Sequence, residues 1–339
     1  MDVLTATTPT ATAATRPVRL SVVVPVFNEE EVLPEFHRRL TAVLDTIRAE
    51  AEVVYVNDGS HDRTIALLLE LHRTDPRVAV VDLSRNFGKE VAMSAGLDHA
   101  HGDAVIVIDA DLQDPPELMP EMVAAWQAGC DIVLMRRRSR AEESWLKRAT
   151  ARAFYRTLRR LAAIEIPENI GDFRLLSRRA VDAVRALPER SRFMKGIFAW
   201  IGFPSRTLDY DRASRGAGRT KWNYWRLWNF ALEGITSFSA TPLKLASYMG
   251  LAAAVVAFAY GVFVVAKTIL YGDPVRGYPT LVVLVLFLGG IQLMALGIIG
   301  EYLARMFVEV KQRPLYFVQR VLPAALAPAP ADERAPPCP

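Results

Sequence analysis

The sequence predicts an α/β domain with a mostly parallel sheet, followed by a two-helix hairpin suited to a bilayer. Three observations carry this expectation. Apolar, β-branched runs alternate with amphipathic stretches in the first third of the chain. Polar motifs stand where those apolar runs end, and two long uncharged stretches lie near the end of the chain.

Residues 20–26 (LSVVVPV) read as a strand covered on both faces, because the run is continuous and rich in valine. Residues 30–49 then carry Leu33, Phe36, Leu40, Val43, Leu44 and Ile47 at helical spacing, which predicts a helix. A second strand is expected over 52–56, closed by the turn Asn57-Asp58-Gly59-Ser60. Asp62 is placed to cap a helix running through residue 71. Residues 78–83, 89–100 and 104–108 continue as strand, helix and strand. In such sheets ligands bind at the carboxyl ends of the strands. Asn28-Glu29, Asn57-Asp58, Ser84-Arg85-Asn86 and Asp109-Ala110-Asp111 all fall at those ends.

Composition narrows the class. The chain has 339 residues, 51% of them hydrophobic, with 41 Lys+Arg against 37 Asp+Glu. That is too apolar for a disordered chain. Two cysteines, Cys130 and Cys338, exclude a disulfide scaffold and fit a reducing compartment. A net charge of +4 does not point to nucleic acid, and none is expected as a partner. The mean hydropathy of +0.15 is high for a chain with 23% charged residues. It is concentrated in residues 245–266, between Lys244 and Lys267, and 278–300, between Arg276 and Glu301. Each run matches the ~20 residues of a membrane span. Buried core helices are the other reading, although core helices are rarely uncharged for so long.

A short link (KTILYGDPVRG) makes the two runs a hairpin. Lys221, Arg226 and Lys244 precede it; Arg305, Lys311, Arg313 and Arg320 follow it, whereas the link holds only Lys267 and Arg276. The positive-inside rule therefore expects a multi-pass protein of the cytoplasmic (inner) membrane with both termini in the cytoplasm. Such an anchor leaves apolar faces for partner subunits, further copies of this chain included. Residues 1–17 lack the apolar core of a signal peptide. They and the Ala/Pro-rich end after residue 322 are expected to be disordered.

The strongest motif is Asp109-Ala110-Asp111-Leu112-Gln113-Asp114, directly after VIVI. Two carboxylates one residue apart at the end of a buried strand are costly without a compensating cation. Hard oxygen donors suit Mg²⁺ or Mn²⁺, which also bind ligand phosphates; an acidic turn capping the next helix is the alternative. Asp58 is either ordinary turn chemistry or an acceptor for nucleoside donors. Pro25 and Phe27 either frame a flat base or pack the loop. Trp222, Trp225 and Trp228 recur every third residue beside Lys221 and Arg226. That stretch reads as an interfacial helix at headgroup level or as a core helix of the domain.

In order, VVPVFNEE, VNDGSHDRT, SRNFGKE, GDAVIVIDADLQDPPE, GDFRLLSR and the basic stretch ending TKW resemble glycosyltransferase family 2. Within it they most resemble the branch that loads a sugar onto a polyprenyl phosphate, of dolichol-phosphate mannosyltransferase and bactoprenol glucosyltransferase type. The likeness covers residues 18–245, and the two-span tail is similar to the bactoprenol subgroup. It implies a GT-A fold over 18–220, an interfacial region over 221–242, two spans within 243–305 and a cytoplasmic tail over 306–339. It also implies a UDP- or GDP-hexose donor, a Mg²⁺ or Mn²⁺ cofactor, inversion at the anomeric carbon and an undecaprenyl or dolichyl phosphate acceptor. The product would serve envelope glycan modification.

Carried onto this sequence, the donor nucleotide lies against Pro25, Phe27, Glu29, Val56 and Asp58. Asp109, Ala110 and Asp111 meet the diphosphate and metal, with Gln113 as a further ligand. Arg137 matches an arginine near the phosphates, with Arg136 leaving the register open by one. Arg215 and Lys221 fit an R-x-x-G-x-S-K pattern, in which Arg219 replaces the usual acidic residue and Thr220 the serine. Phe27 replaces a frequent tyrosine. Asp172 stands where related enzymes have a proposed general base. An attacking phosphate monoester, with a second pKa of about 6, has little proton to lose near neutrality. Asp172 is therefore either a base or an orienting group acting with Arg174. Two other functions share some of these features. A processive polysaccharide synthase would need a Q-x-x-R-W motif and more spans, and a carrier or flippase subunit would need a translocation path.

Overall fold

The computed structural model describes residues 18–138, 170–190, 192–210, 241–271 and 277–325. Within them, the first half alternates as expected: β1 (Arg19–Val26), α1 (Leu33–Leu44), β2 (Glu50–Asn57), α2 (Thr64–Thr74), β3 (Val78–Leu83), α3 (Lys89–His99), β4 (Ala104–Val107) and α4 (Met119–Gln127). There follow β5 (Ile132–Arg137), β6 (Ile170–Ser177), α5 (Arg178–Ala186), α6 (Met194–Trp200), β7 (Ser205–Tyr210), α7 (Thr241–Tyr271), α8 (Tyr278–Lys311) and β8 (Val318–Leu322).

The strands form one sheet in the order β7-β5-β6-β4-β1-β2-β3-β8 among the described residues. β1 is central, with Val23 paired to Val54 on one side and Val107 on the other, both parallel. Both faces of β1 are buried, as its unbroken apolar run requires. Val22 and Val24 point to the face covered by Leu33, Phe36 and Leu40 of α1, Leu68 of α2 and Met122 of α4. Val23 points to the opposite face, under Met93 of α3 and Val181 of α5. Each such fully buried side chain contributes about 1.5–3 kcal/mol. α3 lies so close to the sheet that a Cβ at Gly96 would meet Val23 Cγ1 at 2.2 Å. A side chain there would lift the helix off the strand.

Two strands run against the rest. β6 is antiparallel to both β4 and β5, and β8 is antiparallel to β3. β6 matters most for the site, because its reversal brings its first residues to the carboxyl end of β4. Val107 pairs with Arg174, so two steps further Asp109 stands opposite Asp172.

Some boundaries differ from the periodicity. The first helix begins at Leu33 rather than residue 30, with Pro34 in its first turn, and it stops at Leu44 rather than 49. Glu30 instead accepts a hydrogen bond from the Arg63 amide (2.9 Å). The second helix begins at Thr64; Asp62 Oδ1 caps it from two residues ahead, accepting from the Thr64 amide (3.0 Å).

Large apolar side chains of α7 and α8 stay exposed, among them Leu251, Phe258, Ile269, Leu293 and Phe307. Soluble surfaces rarely carry such continuous apolar faces. Among the described residues one helical stretch, Phe287–Lys311 of α8, is long and apolar enough to cross a membrane, with mean hydropathy 1.5. It ends later than the expected 278–300 because the helix continues through Lys311. A shorter apolar stretch, Gly250–Phe263, lies in α7.

After α8 the chain returns to the sheet. β8 covers the β3 edge, which would otherwise present unpaired backbone groups. The Ser84 amide donates to Phe317 O (2.9 Å), Tyr316 Oη to Asp98 (2.8 Å) and the Ala325 amide to Pro76 O (2.8 Å). The Arg190 amide is held by the Glu309 carboxylate at 2.9 and 3.1 Å, tying the end of α8 to the α/β domain. Sequence periodicity gave no notice of this returning strand. The interfacial region with its tryptophans, and the terminal stretches at 1–17 and 326–339, lie outside the described residues.

Candidate active site

The carboxyl ends of β1, β2 and β4 converge on one cleft with the reversed start of β6. Pro25 lies next to the end of β1, and Phe27 follows the strand, 39% exposed with its ring edge-on to His61 at 6.3 Å. Asn28 adopts a left-handed backbone (φ 55°), and its side-chain oxygen accepts from the His61 amide (2.8 Å). The Glu29 amide donates to Thr64 Oγ1 (2.9 Å). Val56 is fully buried. These residues form one wall.

Asp58 belongs to this wall but faces inward. It is 3% exposed, and its two oxygens accept from the amides of Phe87 (2.7 Å) and Gly88 (3.0 Å). Burial raises its carboxyl above the usual range, although those two amides pull it back. In this conformation Asp58 anchors the loop that leads into α3. Gly59 makes the approach feasible: with φ 65°, a Cβ there would lie 2.4 Å from the Arg85 carbonyl carbon.

The opposite wall is built on charge. Lys89 Nζ donates to Asp109 Oδ2 (2.6 Å) and to Asp172 Oδ2 (2.5 Å), bridging the two carboxylates that the β4–β6 register sets side by side. Lys195 approaches the other Asp172 oxygen at 3.9 Å. The Arg174 guanidinium, stacked on Phe198 at 4.2 Å, donates to the backbone oxygens of Gly171 (2.7 Å) and Asp172 (3.2 Å). Burial pushes Asp172 upward, but Lys89, Lys195 and Arg174 outweigh it and hold the carboxyl well below the carboxylate range. Asp109 is raised, chiefly by burial, with Lys89 opposing. Glu90, accepting from the Met194 amide (3.2 Å), is pushed up to about 7 by burial and by repulsion from Asp172.

Beyond Asp109 the chain turns sharply. Leu112 holds φ 58°, a costly backbone for a branched residue and a frequent mark of functional sites. The turn buries Gln113 and Asp114. Among the described residues, Gln113 Oε1 and Asp114 Oδ2 have no hydrogen-bond partner. The other Asp114 oxygen accepts from Tyr210 Oη, which in turn accepts from Arg137 Nε (3.2 Å). Arg137 also lies 3.7 Å from Asp114 and crosses over Gly171, where a Cβ would meet Nη2 at 2.9 Å. Arg136 points outward and pairs with Asp209 (2.6 Å), so the geometry selects Arg137 as the inward arginine.

The donor set fits a hard divalent cation. Asp109, Asp111 and Gln113 offer only oxygens, and the orphaned Gln113 Oε1 is an acceptor awaiting a partner. Among the described residues no three His, Cys, Asp or Glu side chains converge to hold a metal by themselves. The structure thus brings together Asp109, Ala110, Asp111, Gln113, Arg137 and Asp172 on one side, with Pro25, Phe27, Glu29, Val56 and Asp58 on the other. Arg215 and Lys221 lie outside the described residues. Sequence reasoning missed Lys89, Glu90, Lys195 and Tyr210. For Lys89 a signal existed: a lysine in the first turn of a helix opposes the helix dipole, a local rule broken for a reason.

A mostly parallel-sheet domain with an acidic turn at the central cleft is the architecture of a GT-A-like nucleotide-sugar transferase. A glycosyl transferase family 2 model matches residues 21–185, and a GtrB C-terminal hairpin model matches residues 241–306. An uncharacterised glycosyltransferase of Synechocystis sp. is 52% identical over 301 residues, covering 89% of this chain and 95% of that protein. The SfII prophage-derived bactoprenol glucosyl transferase of Shigella flexneri is 49% identical over 303 residues, covering 89% and 98%. The prophage bactoprenol glucosyl transferase homolog of Escherichia coli K12 is 49% identical over 304 residues, covering 90% and 99%. Among solved structures, a mannosyltransferase of Pyrobaculum calidifontis in complex with GDP-Man and Mn²⁺ matches with TM-score 0.46 at 20% identity, over 83% of this chain and 88% of that one. The chain belongs to glycosyltransferase family 2 and is a glycosyltransferase with a GT-A-like α/β domain and a GtrB-type C-terminal hairpin.

Proposed function

We propose that this enzyme transfers a single hexose, in first place glucose, from a UDP- or GDP-sugar to a polyprenyl phosphate, inverting the anomeric carbon. The observation that carries the reading is the cleft in which Asp109 and Asp172 share Lys89, beside the unsatisfied oxygens of Gln113 and Asp114. The domain that holds it is tied to an apolar helix, and bactoprenol glucosyl transferases are among its relatives. The donor nucleotide rests against Pro25, Phe27, Glu29, Val56 and Asp58.

Asp109, Asp111 and Gln113 would hold Mg²⁺ or Mn²⁺, which when bound neutralises charge on the donor diphosphate. Arg137, with Arg215 and Lys221, adds positive charge for the departing diphosphate. A phosphate oxygen of the acceptor attacks the anomeric carbon as the bond to the diphosphate breaks. The products are a sugar-phospholipid and a free nucleoside diphosphate. No proton need leave a dianionic acceptor. Asp172, clamped by lysines, acts as a fixed anion that orients them and not as a base.

The hairpin α7–α8 anchors the enzyme as a multi-pass protein of the cytoplasmic membrane, with the catalytic domain and both termini cytoplasmic. The basic residues flanking the hairpin and the return of β8 to the catalytic sheet support this topology. Residues 221–242 lie at the interface, and the lipid-linked sugar serves envelope glycan modification. The test is to incubate membranes holding the enzyme with a panel of labelled nucleotide sugars and extract into organic solvent. One sugar on lipid, lost with Asp111→Ala, is the expected result; a polymer, or label that stays in water, would refute the proposal.

A further inference from the structure

Between the loop before α3 and the end of α8 lies a cavity of about 520 Å³, within the ~300–1,000 Å³ range of small-molecule sites. One side is apolar, made by Phe87 and Val91 of the catalytic domain and by Ala304 and Val308 of α8. The polar side carries Lys89, Arg190, Arg192 and Arg305 against two carboxylates, Glu90 and Glu301. Both acids are engaged, Glu301 with Arg305 (3.0 Å) and Glu90 with the Met194 amide. Four cations against two carboxylates make the lining net cationic, with Lys89 also shared with Asp109 and Asp172. Arg192 uses its terminal nitrogens on Val184 O (3.4 Å) and Leu187 O (2.9 Å), yet its Nε has no hydrogen-bond partner among the described residues.

The two ends of this cavity fix what can use it. Ala304 and Val308 belong to the apolar stretch Phe287–Lys311, so a molecule held in lipid reaches the cavity along that helix. The catalytic-domain side of the lining includes Lys89, which bridges Asp109 and Asp172 while leaving 43% of its side-chain surface open. We propose that this cavity is the port for a phosphate monoester carried on an apolar chain, and that Lys89 is the cation that receives the phosphate at the reaction centre. The proposal rests on the transfer reaction above and deepens it, assigning the acceptor's path to named residues. An isoprenoid chain stays along α8, where leaving lipid would cost about 0.8 kcal/mol per CH₂. Only the phosphate and the first carbons enter. Lys89 then partly exchanges Asp172 for phosphate oxygen, which places the attacking oxygen next to the diphosphate site.

The test measures binding of labelled undecaprenyl phosphate to the full chain in phosphatidylcholine nanodiscs, without donor. Ala304→Trp fills the apolar side and should weaken binding by about tenfold or more. Arg192→Gln should weaken it less, and Leu303→Trp, on the far face of α8, should leave it within about twofold. In the transfer assay Ala304→Trp should raise the acceptor KM with the donor KM unchanged, the mark of a lost binding contact. Unchanged lipid binding in Ala304→Trp overturns the port. Equal competition by inorganic phosphate or by phosphatidic acid vesicles overturns the selectivity for an isoprenoid phosphate. A wild-type chain that binds the lipid but transfers no sugar refutes the proposed reaction and leaves the port standing.

Discussion

The two walls of the cleft satisfy buried carboxylates in opposite ways. On the β1–β2 side, Asp58 is held by two backbone amides, which cannot move without the loop. On the β4–β6 side, one lysine side chain, which can swing, bridges Asp109 and Asp172, with Lys195 3.9 Å from Asp172, and the neighbouring Gln113 Oε1 and Asp114 Oδ2 have no hydrogen-bond partner among the described residues. A carboxylate tied to backbone is scaffold. A carboxylate tied to a flexible ammonium can trade that partner for a metal or a phosphate at little cost. The contrast supports placing the proposed chemistry in the wall whose charges are balanced provisionally.

The largest effect expected from this contrast is on turnover. Asp111→Ala should lower transfer by about a hundredfold or more while thermal stability stays near wild type, read by lipid extraction and by melting. A variant that transfers normally with a chelator present would erase the distinction between the walls. Next comes Lys89→Ala, which leaves two facing acids unbalanced. It should cost ~1–3 kcal/mol, below the figure for a fully buried pair because Lys89 is part-exposed, and it should also abolish most transfer. Lys89→Arg should restore stability more than activity.

Asp58→Asn probes the scaffold side. An amide cannot accept from both Phe87 and Gly88 as a carboxylate does, so denaturant titration should show a loss of ~1–2 kcal/mol. Activity should fall as well, through the proposed donor-nucleotide contact of Asp58 and through displaced Lys89.

A pH effect separates the walls further. Glu90 has a folded pKa of about 7 against 4.5 unfolded, so the folded chain holds the proton more tightly. Its contribution is full below about 4.5 and declines as pH rises through about 7, by ~1–3 kcal/mol. Glu90→Gln should flatten that slope in melts taken across this range. The smallest effect belongs to Arg136→Ala, which removes a solvent-exposed ion pair and should leave melting near wild type, whereas Arg137→Ala should lower transfer.

The order of strand and helix, the acidic turn and the apolar hairpin were all legible in the chain itself. Each depends on local physics: a valine run demands burial on both faces, paired acids demand a cation, and a long uncharged helix demands lipid. Helix ends were less legible, since Pro34 and the engagement of Glu30 with Arg63 override the periodicity. Lys89 stood in plain view within SRNFGKE, but its partner Asp172 is distant in sequence and no spacing rule links them. Only the reversed course of β6 sets Asp172 opposite Asp109, and only the docking of α3 brings the ammonium between them. The return of β8 to the β3 edge is of the same kind. Side-chain periodicity reports which faces are buried; it does not say which strand lies alongside or in which direction, because that choice is made by packing across the whole sheet.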